Sequence, residues 1–226
     1  MSEFDKVTLT YFGLQGRAEA IRLLLEDAGI QYDDVRITDK EQWLELKKDT
    51  DRFRFGQMPM VDFNGFCVVQ SATIMRFIAS RKGYYGATPQ EHVLVDMVAD
   101  GTEDLQKLYL RAVYSDDGES ATKAFLKNEA PVKLEYFEKI LSKANGGAAY
   151  FTGPKATFAD IFFFDLLDRL TTLHPNILDP FPLLKVFKTR VAERPNIKKY
   201  HEANKRPQFV NNPFATKLGA ERIVFD

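Results

Sequence analysis

The rhythm of hydrophobic and polar positions changes once along the chain. In the first part, short alternating runs and helical runs follow one another. Residues 7–11 alternate the apolar Val7 and Leu9 with the β-branched Thr8 and Thr10 and close on an aromatic, which predicts a strand. In residues 17–28, Ala18, Ile21, Leu25 and Ala28 recur at helical spacing and Gly29 follows as a stop, which predicts a helix. Residues 32–37 read as a second strand and 41–48 as a short polar helix. Residues 60–63 and 66–69 flank Asn64-Gly65, the dipeptide of a tight hairpin whose two central residues both need positive φ. Residues 71–81 are helical, with Ile74, Phe77 and Ile78 on one face. The order βαβ, α, ββα predicts an α/β unit with a mixed sheet.

Beyond Gly83 the strand pattern fades. Helical periodicity runs over 93–114, 121–143, 157–172, 183–192 and 197–203, with prolines between the helices and in the tail. Gly, Tyr, Thr and Pro cluster over 84–90, so the expected domains are 1–83, α/β, and 90–226, all-helical.

Composition narrows the function classes. The chain has 226 residues, 45% hydrophobic and 28% charged, enough apolar material for a core without staples. A formal net charge of -1 predicts no electrostatic attraction to nucleic acid or to an anionic membrane. Cys67 is the single cysteine, so an intrachain disulfide, CxxC redox chemistry and a multi-cysteine zinc site are ruled out. His92, His174 and His201 share no metal-ligand spacing. No basic stretch followed by an apolar run opens the chain, and no apolar run reaches about 18 residues. The expected address is therefore cytoplasmic, with no metal and no bound cofactor.

Five motifs in order carry a family resemblance. LTYFGLQGRAEAIRLLL (9–25), FGQMPMVDFNG (55–65), VQSATIMRFIA (69–79), LVDMVADGTEDLQKLYL (94–110) and TFADIFFFDLL (157–167) resemble the cytosolic, tyrosine-type glutathione transferases. The fourth is most similar to the pi class, while other features are sigma- or alpha-like. The resemblance implies an N-terminal thioredoxin-like domain that binds glutathione, and an all-α helical-bundle domain with most of the electrophile pocket. It also implies a homodimer, glutathione as cosubstrate and a hydrophobic electrophile as second substrate.

By that resemblance, Tyr11 holds glutathione's sulfur as a thiolate. The chemistry is sound: a cysteine-type thiol has a pKa of about 8.5, and a phenol O–H donates better to the anion than to the thiol. Arg17 orients the loop or supplies positive charge near the ligand. Trp43 and Lys47, at i and i+4, are implied to donate to the glycyl carboxylate, with Lys48 competing for that role. Gln57 lies in the clamping loop. The Met58-Pro59 bond is implied to be cis, with the main chain of Met58 pairing with the cysteinyl part of glutathione. Gln70 and Ser71 open a helix whose free N–H groups suit the γ-glutamyl carboxylate. Asp104 reaches the γ-glutamyl ammonium bound by the neighbouring subunit, and Phe55 inserts into the partner. Phe12, Gly13, Arg111 and Tyr114 face the electrophile; Gly13 stands where the pi class has proline. Leu218, Ile223, Val224 and Phe225 suggest a short amphipathic tail helix over the pocket. Thr157 and Asp160 form a capping box and serve folding. Cys67 needs no catalytic role.

Three functions fit this set of residues. The first is conjugation of the thiolate to electrophilic carbon. The second is a ligand carrier or structural protein that retained the fold, since fold alone does not establish activity. The third is a dedicated glutathione-dependent isomerase, like the prostaglandin D synthase of the sigma class. Retention of Tyr11, Gln57, Gln70, Ser71 and Asp104 favours the first.

Overall fold

A computed structural model describes residues 3–212. The tail positions Leu218, Ile223, Val224 and Phe225 lie outside the described residues. In chain order the elements are β1 (Val7–Phe12), α1 (Glu19–Asp27), β2 (Asp33–Ile37), α2 (Lys40–Leu46), β3 (Met60–Phe63), β4 (Phe66–Val69) and α3 (Ser71–Lys82). The helical part adds α4 (Pro89–Val113), α5 (Gly118–Ala124), α6 (Ala130–Lys143), α7 (Phe158–Leu173), α8 (Pro182–Ala192) and α9 (Pro195–Glu202). The α/β first part and helical second part agree with the sequence pattern.

Contacts divide the chain into two compact units. The first holds a four-stranded mixed sheet in the order β2-β1-β3-β4, with β1 parallel to β2 and antiparallel to β3. Central β1 is buried on both faces, so Val7, Leu9, Thr10 and Tyr11 are all buried. Edge strand β2 carries Asp33, Asp34 and Arg36, charges that discourage further strand pairing. At the β3–β4 hairpin Phe63 pairs with Phe66, leaving Asn64 and Gly65 as the loop, at φ 53° and 95°. Both signs match the turn that the Asn-Gly pair predicts.

One element departs from the expected division. The segment Pro195–Val210 groups with the first unit, not with the helical one. Helix α9 buries Ile197 and Tyr200, and the Asn196 side chain donates to the Asp27 carbonyl at the end of α1 (3.3 Å). The helical periodicity of 197–203 identifies a helix but not the surface it covers.

In the second unit, α7 is a central helix that buries nearly every side chain, the charged Asp160, Asp165 and Arg169 among them. Phe163 stacks on Phe137 from α6 (ring centroids 4.1 Å) and meets Phe151 edge-on (5.5 Å). The run 121–143, read as one helix, is α5 and α6 joined by a π turn over Phe125–Glu129. The Ala130 N–H donates to the Phe125 carbonyl there. Pro131 follows at once; it lacks an N–H and its ring crowds the preceding turn, which a widened turn relieves.

The capping box at α7 is present. Asp160, fully buried, accepts from the Thr157 N–H (2.7 Å), the Thr157 hydroxyl (2.6 Å) and the Phe151 N–H (2.9 Å). Burial pushes its carboxyl pKa up, against the pull of these donors. Thr157→Ala removes one donor from a buried carboxylate. It is expected to cost about 1–2 kcal/mol, read as a lower denaturant midpoint at unchanged slope.

Candidate active site

The first unit gathers most of the expected site residues around the C-terminal end of β1. Tyr11 has its ring buried and 7% of its surface exposed. Its Oη accepts the Arg17 N–H at 3.1 Å. Gly16 lies between them at φ 44°, and a Cβ there would sit 2.6 Å from the Tyr11 Oη and 2.5 Å from Leu14 Cδ1. Only glycine fits this position, on both conformation and space. The preceding residues are held as well. The Gly13 N–H donates to the Ile37 carbonyl at 3.1 Å, a bond that a proline at this position could not make.

Phe12 meets the Trp43 ring edge-on (6.0 Å), and Trp43 meets Phe53 the same way (5.5 Å). Trp43 therefore rests on a small apolar cluster of Phe53, Met60 and Val69, which holds helix α2 against the loop. Lys47 caps α2, and its N–H donates to the Trp43 carbonyl (3.0 Å). Lys48 pairs with Glu45 (2.5 Å), whereas Lys47 has no side-chain partner among the described residues.

The Met58–Pro59 bond is cis. The side chains on either side of that loop and β4 meet: Gln70 Nε2 lies 3.4 Å from Gln57 Oε1. Gln70 sits at φ 72°, a left-handed conformation unusual for a residue with a side chain. Ser71, buried, is the first residue of α3. Phe55 stands 66% exposed, a large aromatic with little covering it within one chain.

In the second unit, Asp104 and Arg111 lie on α4. Asp104 is exposed and pairs with Lys107 (3.3 Å). Arg111 is exposed and pairs with Glu129 (2.7 Å). Tyr114 caps α4, and its Oη accepts the Asn212 N–H (3.0 Å). One turn earlier, Tyr109 is fully buried; its hydroxyl accepts from Asn211 Nδ2 (2.7 Å), and burial holds its pKa up at about 12.

Sequence reasoning assigned no role to two residues of the GRAE-x-x-R stretch that the structure makes central. Arg22 is fully buried; its Nη1 donates to Glu19 (3.1 Å) and to the Leu14 carbonyl (3.1 Å), and its Nε to Asp34 on β2. Burial opposes its charge, but Glu19 and Asp34 beside it outweigh that and hold the pKa above the ordinary arginine value. Glu19, also fully buried, accepts from Arg206 Nε (2.7 Å) and the Tyr200 hydroxyl (3.3 Å). A buried arginine and glutamate three residues apart on a helix, with an aspartate on the next strand, are a readable signal only once the strand's register is known.

A polar cavity of about 560 Å³ lies among α1, β2 and α9, lined by Tyr32, Asp34, Arg36, Lys199 and Tyr200 among others, and none of the expected site residues lines it. Among the described residues, no group of three or more His, Cys, Asp or Glu is arranged to hold a metal ion. No described helix is long and apolar enough to cross a membrane.

Known proteins match both halves. The family model described as Glutathione S-transferase, N-terminal domain, matches residues 7–80, and Glutathione S-transferase, C-terminal domain, matches 103–204. The Glutathione S-transferase P of Caenorhabditis elegans is 39% identical over 200 residues, covering 88% of this chain and 92% of its own. The Glutathione S-transferase A of Cavia porcellus is 36% identical over 214 residues, covering 94% and 95%. A solved structure of the Onchocerca volvulus pi-class glutathione S-transferase superposes with a TM-score of 0.85 at 36% identity, covering 93% of this chain and 99% of that one. Relatives named P and A stand at similar identity, in keeping with motifs of more than one class along the chain. With both domains matched in order, and identity at this level sustained over nearly its full length, the chain belongs to the glutathione S-transferase family.

Proposed function

We propose that this protein conjugates the sulfur of glutathione to small, hydrophobic electrophiles, with Tyr11 holding the thiolate. The observation that carries this reading is the placement of the Tyr11 phenol, ring buried at the end of β1, with its oxygen accepting the Arg17 N–H at 3.1 Å. A phenol oxygen that accepts a hydrogen bond is polarised to donate its own proton more strongly. A donor aimed at sulfur stabilises the thiolate over the thiol, and a shift of about 2 pKa units corresponds to about 2.7 kcal/mol.

The chemistry then balances simply. The thiol proton leaves to solvent as glutathione binds. The sulfur lone pair forms a C–S bond to the electrophilic carbon, and the leaving group departs with its bonding electrons. For a chloronitrobenzene acceptor, the leaving group is chloride.

The remaining residues bind and orient. Ser71 and the first turn of α3 receive the γ-glutamyl carboxylate, with Gln70 and Gln57 beside it. The main chain at Met58–Pro59 pairs with the cysteinyl unit. Trp43 and Lys47 take the glycyl carboxylate; Lys47 is favoured over Lys48 because Lys48 is paired with Glu45. Arg17 fixes the loop. Phe12, Gly13, Arg111 and Tyr114 meet the electrophile. The working unit is a homodimer in the cytoplasm: exposed Phe55 enters a second copy, and exposed Asp104 serves the γ-glutamyl ammonium bound by that copy. Glutathione is a cosubstrate, and neither a metal nor a cofactor is required.

The test is conjugation of glutathione to a chloronitrobenzene as a function of pH. A profile governed by a pKa well below that of free glutathione supports the reading. Glutathione binding without turnover would favour a carrier or a dedicated isomerase instead.

Gly16→Ala gives an independent check. Its Cβ would displace either the Tyr11 hydroxyl or Leu14. Because small misplacement of a reacting group is costly, kcat/KM is expected to fall about 10- to 100-fold while the chain still folds. Activity within about twofold of wild type would show that the Tyr11 position tolerates such a shift.

A further inference from the structure

We propose that residues 207–210 form a backbone strap that sets the position of the Tyr11 phenol, and that Gln15 is the positioning residue that locks the strap to the active-site loop. This inference rests on the reading of Tyr11 as the thiolate's donor.

Among the described residues, the main chain of the loop between β1 and α1 meets a neighbouring strand only through the Gly13 N–H on Ile37. Its consecutive amides are satisfied by distant chain. The Gln15 N–H donates to the Phe209 carbonyl (2.8 Å) and the Gly16 N–H to the Val210 carbonyl (3.0 Å). The next amide, Arg17, donates to the Tyr11 Oη (3.1 Å). Strap and phenol are therefore joined through adjacent peptide units, and fixing the first two aims the third.

Gln15 is built for this role. It is buried, at 7% exposure, and its Nε2 donates to the Pro207 carbonyl at 2.9 Å. Its own carbonyl accepts the Ala18 and Glu19 N–H groups (3.1 and 3.0 Å) and so starts the helix. The main-chain N–H and carbonyl and the side-chain Nε2 of this residue thus join strap, loop and helix.

The strap is itself anchored in the same unit. Arg206 Nε meets Glu19 (2.7 Å), and Arg36 Nη2 donates to the Lys205 carbonyl (2.5 Å). Gly16 transmits the constraint because it packs so close to Tyr11 that a Cβ there would fall 2.9 Å from the ring. A shift of the strap moves the Gln15 and Gly16 peptides, and with them the Arg17 N–H that polarises the phenol. The strap's effect falls on the thiolate fraction, and so on the pH profile.

The test uses the full-length chain with Gln15→Met, which keeps size but removes the donor, and Gln15→Glu, which sets a carboxylate against the Pro207 carbonyl. The pH dependence of conjugation is measured for both beside wild type and Tyr11→Phe. Losing one buried hydrogen bond is expected to raise the apparent thiol pKa by roughly 0.5–1 unit and lower kcat/KM about 3- to 10-fold below that pKa. Gln15→Glu is expected to show the larger change. A merely structural role would lower stability and leave the profile in place. Unchanged profiles in the folded Gln15 variants, while Tyr11→Phe moves the profile, overturn the strap alone. An unchanged profile in Tyr11→Phe overturns the thiolate reading, and the strap proposal with it.

Discussion

Arg22→Met is expected to destabilise the protein by about 3–5 kcal/mol, because it removes the central member of a buried charge network and strips Glu19 and Asp34 of one partner each. Arg22 and Glu19 are both fully buried, and Asp34 and Arg206 extend the network to β2 and to the residue just before the strap. Methionine matches the arginine stem in bulk, so the cost comes from the lost charge partner more than from a cavity. Glu19 would keep Arg206 and the Tyr200 hydroxyl, while Asp34 would keep Arg36. The Leu14 carbonyl would lose its donor, which carries the damage to the loop beside Tyr11. Urea denaturation reads the effect as a lowered midpoint. Arg22→Lys should recover only part of the loss, since an ammonium cannot reach Glu19, Asp34 and Leu14 together as the guanidinium fork does. A loss below about 1 kcal/mol for Arg22→Met would show that the network does not anchor the loop. The exposed pair Arg111–Glu129 serves as the contrast: its removal should leave the midpoint close to wild type.

Tyr11→Phe is expected to lower kcat/KM for conjugation about 100-fold near neutral pH, with the fold retained. The figure follows from a thiol pKa shift of about 2 units, worth about 2.7 kcal/mol. Phenylalanine keeps the buried ring and deletes only the hydroxyl. The Arg17 N–H loses its acceptor, a loss of about 1 kcal/mol in stability. The rate difference should shrink as pH rises past the pKa of free glutathione, where solution chemistry supplies the thiolate without help. A loss that is equally large at every pH would instead mean that the hydroxyl contributes to binding or to leaving-group chemistry.

The fold was legible wherever local chemistry decides structure. Asn64-Gly65 announces the hairpin because few residues accept positive φ at both turn positions, and both are positive. Thr157 and Asp160 announce the start of α7 for a similarly local reason. What the pattern missed is long-range. The periodicity of α9 shows a buried face but not that Ile197 and Tyr200 lie in the α/β unit. The π turn before Pro131 appears where one long helix was expected.

The candidate site divides along the same line. Tyr11, Gln57, Gln70 and Ser71 stand out through motif spacing, and Gln57 and Gln70 do meet. Gln15 and Gly16 carry no such mark. The Gln15 side chain finds its partner 192 residues away, and the tight fit of Gly16 depends on where the Tyr11 ring falls. Arg22 reads as an ordinary helix cation until the strand register sets Asp34 beside it. Arg111 and Tyr114 were expected to face the electrophile. Their contacts run to Glu129 and Asn212, partners that helical spacing on α4 does not reveal.

The role of Tyr11 is tested most directly by the ultraviolet absorbance of the thiolate, titrated against pH with glutathione bound to wild type and to Tyr11→Phe. A thiolate held by the Tyr11 hydroxyl gives a wild-type midpoint well below the ordinary thiol value of about 8.5, returning toward that value in Tyr11→Phe. Coincident midpoints in the two proteins would contradict it.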